Sequence, residues 1–291
     1  MEVARNSKMQ EFQVRRLEKE EHFRTRKLWE EVFSEDTTEF LDYYYSVKTK
    51  ENEIYVIEDE GEIVSMLHLN PYQMRIQNKV YPTHYIVAVA THPSYRRQGL
   101  MANLLNHAMQ VMKQQKEPFT FLMPASEAIY KPFGFEFVYA QERCKIRGTK
   151  GRDEALSFSF ATKEECGEMS AFANHILERY DVTTHRGKEY YQTILAEQES
   201  ENGGILLARQ GEKLVGVFCF ANEGYVEIRE PLFADEEILY QAVYYLTGTE
   251  SEEVSCIGFG NERKPMIMAK VLCPELMGDL KTMKVFLNEV V

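Results

Sequence analysis

Residues 89–109 read VATHPSYRRQGLMANLLNHAM, an order of residue types suited to holding a phosphate-bearing ligand. An apolar run at 85–90 stops at His92-Pro93, a basic turn Arg96-Arg97-Gln98-Gly99 follows, and a helical pattern begins at Leu100. At such a turn and in the first helical turn, consecutive backbone N–H groups have no intrahelical acceptor, and the helix dipole adds to their attraction for an anion. Glycine permits close backbone approach or a positive φ, and the arginines add charge. A pyrophosphate fits there; so does a plain surface turn with two solvated arginines, because short glycine motifs recur by chance. A second segment, ASEAIYKPFGFEFV at 125–138, follows the next apolar strand and sets Tyr130 near Phe133 and Phe135. Taken alone it reads as packed aromatics.

These motifs need elements to position them. The alternation at 12–17 fits a strand, and Phe23, Leu28, Trp29, Val32 and Phe33, then Phe40, Leu41, Tyr44 and Tyr45, suggest two helices. IYVIEDEGEIVSMLHL at 54–69 is a hairpin about Gly61. YIVAVA at 85–90 suits a strand buried on both faces, and apolar residues at 100, 101, 104, 105, 108, 111 and 112 form one helix face. FTFLM at 119–123 is another strand, and RGTKGRDE at 147–154, charged and without an apolar residue, is the candidate linker. The second half opens on ALSFSFA, then Thr162 and Glu165 at capping-box spacing, a helix face through Met169, Phe172, Ile176 and Tyr180, a helix over 189–197, and a hairpin at 205–220. The order strand, two helices, hairpin therefore occurs twice, which predicts an internal duplication of an α/β unit. GFGNERKP at 258–265 is read as a loop.

Composition narrows the function. The chain has 291 residues, near two average domains, with ordinary hydrophobic (44%) and charged (27%) content for a globular protein. A net charge of -12 argues against a general nucleic-acid binder. Residues 1–150 hold 21 basic and 21 acidic residues, so the whole excess of negative charge lies in the second half, with 13 and 25. Five widely spaced cysteines without a CxxC pair point to neither a disulfide framework nor a zinc site, and His84, His107 and the other histidines show no ligand spacing, so no metal is expected. The polar N-terminus and the lack of a long apolar run predict a cytoplasmic protein without a membrane partner.

Taken together, the turn at 96–101 and the segment at 130–135 resemble the Gcn5-related N-acetyltransferase (GNAT) family, in which an Arg/Gln-x-x-Gly-x-Gly/Ala turn cradles the acetyl-CoA pyrophosphate and a later Tyr-x-x-x-Gly-Phe segment lies beside the thioester. Met101 stands where that pattern usually has Gly or Ala. The RRQGLM run, the ASE-x-IY-x-x-FGF segment and the tandem arrangement are similar to the Eis-like (enhanced intracellular survival) branch. Its members have a catalytic GNAT domain, a GNAT-like domain without a working cofactor turn, and a sterol-carrier-like third domain. The chain stops at Val291, about where that third domain would start, so it reads as a shortened two-domain relative.

The resemblance implies tandem α/β GNAT folds, each a mixed central sheet flanked by helices, the second degenerate. It implies a catalytic domain at 1–147 and an accessory domain at 148–291. It also implies that backbone groups of Val89, Ala90 and Thr91 hold the acetyl and pantetheine arm. Arg96 belongs to the basic turn, amides of Arg97, Gln98, Gly99, Leu100, Met101 and Ala102 would hold the pyrophosphate, and Ser126 would lie near the pantetheine. The function implied is acetyl-CoA-dependent acetyl transfer to a primary amine of a small cationic molecule or a lysine, by direct attack in a ternary complex. Tyr130 is the expected general acid, since a phenol of pKa about 10 stays protonated at neutral pH. The base is open: Glu127 and His92 are local alternatives with surface or turn roles, the C-terminal carboxylate of Eis-like enzymes leaves from the third domain and is not carried to Val291, and water suffices for an amine. A homo-oligomer is implied too. The alternative is a non-catalytic acyl-CoA-binding sensor or interaction module.

Overall fold

The computed structural model describes residues 12–151 and 156–288. In chain order, β1 (Val14–Arg16) leads to α1 (Arg26–Val32), α2 (Thr38–Ser46), β2 (Glu53–Asp59), β3 (Glu62–Ile76), β4 (Lys79–Thr91), α3 (Leu100–Gln114), β5 (Phe119–Leu122), α4 (Glu127–Tyr130) and β6 (Glu136–Arg147). The second half repeats the order, without a counterpart of α4, with β7 (Leu156–Phe160), α5 (Cys166–Ile176), β8 (Val182–Thr184), α6 (Lys188–Ser200), β9 (Gly204–Gln210), β10 (Lys213–Asn222), β11 (Val226–Phe233), α7 (Glu236–Thr247), β12 (Glu253–Ile257) and β13 (Glu262–Val271). Its additions are β8, between the two helices, and a closing β14 (Val285–Phe286).

Local sequence accounts for most of these bounds. The β2–β3 hairpin turns through Glu60 and Gly61 at φ 51° and 86°, the left-handed pair that a two-residue turn matched to strand twist requires. Thr162 and Glu165 make the expected capping box just before α5. In α3, Leu100, Leu104, Leu105, Ala108 and Met112 are buried, at helical spacing. They pack on Tyr55, Ile57, Leu67 and Leu69, whereas Trp29, Phe40 and Tyr44 pack on the alternate residues Ile54, Val56 and Met66. Because successive strand residues point to opposite faces, α3 covers one face of the first half and α1 with α2 covers the other. The second half is layered likewise, with α7 over Leu206, Ala208 and Phe218, and α5 and α6 over Ile205, Leu207 and Val217.

The strands join in one continuous mixed sheet, ordered β1-β2-β3-β4-β5-β13-β6-β12-β11-β10-β9-β7. The first half's last strand, β6, lies between β13 and β12, and its counterpart in the second half, β13, lies between β5 and β6. Each half thus contributes its final strand to the other's side of the sheet, and the sheet runs unbroken past 147/148. The loop expected at 258–265 is corrected by this exchange: β13 starts at Glu262, with Glu262 opposite Arg143 and Pro265 opposite Ala140. Its partner strand is distant in sequence, so the local Gly, Pro and charged residues masked it. Pro265 is tolerated because the register shifts beside it. The described part of the expected linker is tied down. Thr149 N donates to Tyr240 O (3.0 Å), Lys150 N donates to the Glu250 carboxylate (2.9 Å), and a Cβ on Gly148 would collide with the Tyr244 backbone. Residues 152–154 of that stretch lie outside the described residues. No helix among the described residues is long and apolar enough to cross a membrane.

Candidate active site

The parallel strands β4 and β5 share one rung, Tyr85 opposite Phe121, after which β5 ends at Leu122 while β4 runs on to Thr91. Beyond that rung the strands part, and β4 presents backbone groups without a β5 ladder partner. On its other side β4 is bulged. Met66 pairs with Ala90 but His68 pairs with Val87, so Ala88 and Val89 both face the stretch opposite Leu67, and Ala88 takes φ 50°. A bulge re-aims backbone groups and increases local twist. Ser65 fixes the strand end: its hydroxyl donates to Ala90 O (3.0 Å) and meets Thr91 Oγ1 at 2.8 Å.

The turn after β4 is held from three sides. His92 N donates to Val64 O (2.9 Å), Tyr95 OH donates to Asp59 (2.7 Å), and Arg96 Nε donates back to Thr91 O (3.1 Å). Arg97 at φ 64° and Gly99 at φ 82° then alternate with right-handed or extended residues, the pattern that turns successive N–H groups toward one concavity. The first helical bond of α3 is Asn103 N to Gly99 O (3.0 Å). Among the described residues, the amides of Arg97, Gln98, Gly99, Leu100, Met101 and Ala102 have no backbone acceptor. No acidic residue lies in the first turn of α3, and nothing lies within 4 Å of where a Gly99 Cβ would stand. The concavity is open, and Gly99 is required by its φ rather than by crowding. Met101 sits inside the first turn of α3 and packs partly on the core beneath it, so it does not obstruct the turn.

Tyr130 ends α4, after the exposed Ser126, whose side chain makes no capping bond. Its ring is 7% exposed and meets Phe135 edge-on at 6.0 Å. Both motifs converge here: Tyr130, Leu100 and Phe135 belong to one buried cluster, with Val89, Tyr95 and Met101 packed against it. The Tyr130 hydroxyl has no hydrogen-bond partner among the described residues, and burial pushes its pKa up to about 12. The phenol therefore keeps its proton, and no described side chain or backbone group accepts it. Gly134 follows at φ 81°, where a Cβ would run into the Lys270 ammonium of β13.

Both local base alternatives are engaged elsewhere. His92 Nε2 faces Glu31 at 3.3 Å and its Nδ1 accepts from Ser94 N, while Glu127 pairs with Lys131 across one exposed helical turn (3.3 Å). His84 pairs with the buried Glu117 (2.7 Å), and Val291 lies outside the described residues. Sequence reasoning missed the buried polar group on the α2 face. The Tyr44 hydroxyl donates to Asn70 Oδ1 (2.9 Å), accepts from Asn52 Nδ2 (3.0 Å) and meets His68 Nδ1 at 3.3 Å. Burial lowers the His68 pKa to about 3, so the imidazole is neutral. His68 in the apolar run SMLHL was the only signal. It also missed Glu197 of α6, which reaches the first half and accepts from Tyr43 OH (3.1 Å); burial holds this carboxyl above the usual carboxylate range.

The second half closes the equivalent places. β11 passes almost directly into α7, where Asp235 accepts from Glu237 N (2.9 Å) and Glu236 and Glu237 occupy the first turn, so the helix start is already acidic. β11 and β12 pair only at Glu227–Ser255 and Ile228–Cys256. Asn288 fills the region beyond: it donates to Arg229 O (2.9 Å), accepts from Gln141 (2.7 Å) and lies against Gly258.

Residues 13–138 match the acetyltransferase (GNAT) domain family. No curated protein matches the chain in sequence. Among solved structures, a probable N-acyltransferase of Enterococcus faecalis V583 superposes with TM-score 0.75 at 17% identity, over 91% of this chain and 73% of that one. An Eis1 protein of Mycobacterium abscessus gives 0.62 at 12% identity, over 90% and 74%. A tandem GNAT protein from the clavulanic acid biosynthesis pathway gives 0.60 at 13% identity, over 90% and 99%. At these identities the likeness is one of fold. The domain match falls on the half that carries the bulged β4 and the open turn: residues 13–138 carry an acetyltransferase (GNAT) domain, and the chain shares its fold with these proteins.

Proposed function

We propose that the chain transfers acetyl from acetyl-CoA to a primary amine, of a small cationic molecule or a lysine, by direct attack in a ternary complex. The observation that carries this reading is the run of six amides at 97–102 without a backbone acceptor among the described residues, with open space at the Gly99 Cβ position. Those amides, with Arg96 and Arg97, suit a pyrophosphate, and the backbone of Val89, Ala90 and Thr91 along the parted edge of β4 suits the pantetheine amides, with Ser126 across the gap. When bound, acetyl-CoA supplies the activated acyl group. An amide in the bulge of β4 faces the developing oxyanion. Tyr130 keeps its proton at neutral pH and donates toward the departing sulfur; the burial that raises the phenol acts equally on a thiolate beside it.

Residues 1–147 are proposed as the catalytic unit and 148–291 as an accessory unit related to Eis-like proteins, lacking a cofactor turn and meeting the first half where Glu197 accepts from Tyr43 OH. Mixing the protein with acetyl-CoA and polyamines, aminoglycosides or lysine peptides is expected to release free CoA. No CoA release combined with no heat of acetyl-CoA binding overturns the proposal. The engagement of His92 with Glu31 and Glu127 with Lys131 favours one second reading, an acyl-CoA-binding module without turnover. Binding of acetyl-CoA without CoA release on the same panel selects it.

A further inference from the structure

Five cysteines are all in the thiol form, and two of them face each other. Cys144 on β6 and Cys256 on β12 are directly opposite in the antiparallel register. Opposite residues share a face, here the face under α7, and their Cα atoms lie about 4.5 to 5.5 Å apart in any antiparallel pair. A disulfide spans about 4.4 to 6.8 Å between Cα atoms, a range that includes this spacing. Exposure is unequal: Cys256 is fully buried, whereas Cys144 is partly open and donates to Phe259 O (3.2 Å). Gly260, at φ 136°, has no room for a Cβ because the Arg143 carbonyl and the Cys144 Cβ lie against it. The remaining cysteines are fully enclosed or placed apart, with Cys166 turned to Thr162 O and Cys273 to Lys113 O.

We propose that Cys144 and Cys256 are a thiol pair that a hydroperoxide converts to a disulfide, stapling the exchanged strand β6 to β12. The Cys256 thiol leans on the Cys144 sulfur, which draws the Cys144 thiol below its ordinary value and pushes Cys256 above its own. Cys144 is thus the nucleophile and Cys256 the resolving thiol. The Cys144 thiolate attacks one peroxide oxygen, the O–O bond breaks, and with the thiol's proton the other oxygen leaves as water, giving a sulfenic acid at Cys144. The Cys256 sulfur then attacks the Cys144 sulfur, the S–O bond breaks, and the hydroxyl leaves as a second water with the Cys256 proton. Two thiols are oxidised and one hydrogen peroxide is reduced to two waters. The pair joins β6 to β12 and uses no residue of the proposed acetyl-CoA site, so the inference stands independently of the acetyl-transfer reading.

The staple joins the last strand of one half to the other, across a long stretch of chain, which restricts the unfolded state. The full chain treated with one equivalent of hydrogen peroxide is expected to lose the mass of two hydrogens. A non-reducing peptide map should join the peptides of Cys144 and Cys256, dithiothreitol should reverse the change, and the thermal midpoint should rise by on the order of 10 °C. Cys144→Ser should abolish the mass loss, and Cys256→Ser should leave a Cys144 sulfenic acid that dimedone traps. A link to any other cysteine, oxidation of Cys144 to the sulfinic acid with Cys256 still a thiol, or no oxidation at either overturns the proposal. If a serine variant fails to fold, the peptide map of the unaltered chain decides alone.

Discussion

Tyr85 of β4 and Phe121 of β5 stand opposite each other with ring centroids 5.1 Å apart, and theirs is the last rung the two parallel strands share. Both rings pack in the core cluster with Tyr72 and Ile267, and past their rung the two strands part. Everything proposed to meet acetyl-CoA lies on the open side of that rung: the bulge at Ala88, the strand end at Thr91, the turn at Gly99 and the buried Tyr130.

Gly99 separates two demands that glycine usually answers together. Its φ of 82° is costly for residues with a Cβ, yet nothing lies within 4 Å of the Cβ position. Gly99→Val is expected to weaken acetyl-CoA binding at least ~10-fold by disturbing the left-handed turn. Gly99→Asn, which tolerates that conformation, should bind within about 3-fold of the parent. Titration calorimetry reads both. Equal losses in the two variants would mean that space in the concavity, not backbone conformation, is what Gly99 provides.

Tyr130→Phe removes a hydroxyl that has no partner, so stability near neutral pH should be unchanged. Acetyl-CoA affinity should hold while kcat falls by roughly 10- to 100-fold, the range for loss of a general acid. The raised pKa adds a second readout. Below the unfolded phenol's pKa of about 10 both states keep the proton; as pH rises from there through the folded value of about 12, the unfolded chain ionises first and stability drains away. The parent should therefore lose stability relative to Tyr130→Phe only in that alkaline window. Full activity in Tyr130→Phe would remove the acid role.

The two motifs and the helix that follows were legible because their signals are local: Gly99 at a turn, apolar spacing in α3, Gly61 in a hairpin. The bulge at Ala88 was not, since nothing in YIVAVA marks a non-glycine residue at positive φ; the register of β3 against β4 imposes it. β13 was hidden for a related reason. Glu262, Arg263, Lys264 and Pro265 are poor strand residues taken singly, and only pairing with β6 makes them one. That the second half has no RxxGxG-like turn was legible, but what occupies the equivalent place was not: Asp235 capping α7, and Asn288 lying between Arg229 and Gln141, are tertiary facts.

Arg186 and Glu230 form a buried two-pronged ion pair (2.5 and 2.8 Å), with the Arg186 side chain fully enclosed and its guanidinium 5.7 Å from the Phe286 ring centre. Removing one partner strands a charge away from water. Arg186→Met is expected to cost about 3 to 5 kcal/mol in urea unfolding, whereas the double change with Glu230→Leu should recover a large part of that loss. A double variant no more stable than Arg186→Met would show that the pair's worth lies in packing on Phe286 rather than in neutralising Glu230.

The strand exchange makes a prediction about the chain as a whole. In a fragment ending at residue 147, β6 loses β13 on one edge and β12 on the other, and β5 loses β13 as well. Unpaired edges of that length are aggregation-prone, and the buried Ile146, Phe121 and Leu122 would face water. Residues 1–147 made alone should therefore be insoluble or molten, with weak dispersion of amide signals in a proton–nitrogen correlation spectrum. Co-expression with residues 148–291 should restore a soluble one-to-one complex, because every lost rung is intermolecularly available. The intact chain should unfold in one transition, with near-ultraviolet signals from Trp29 in the first half moving together with far-ultraviolet signals from both. A well-folded 1–147 fragment that binds acetyl-CoA with parental affinity would show that β13 is dispensable to the site, and that the exchange serves the second half alone.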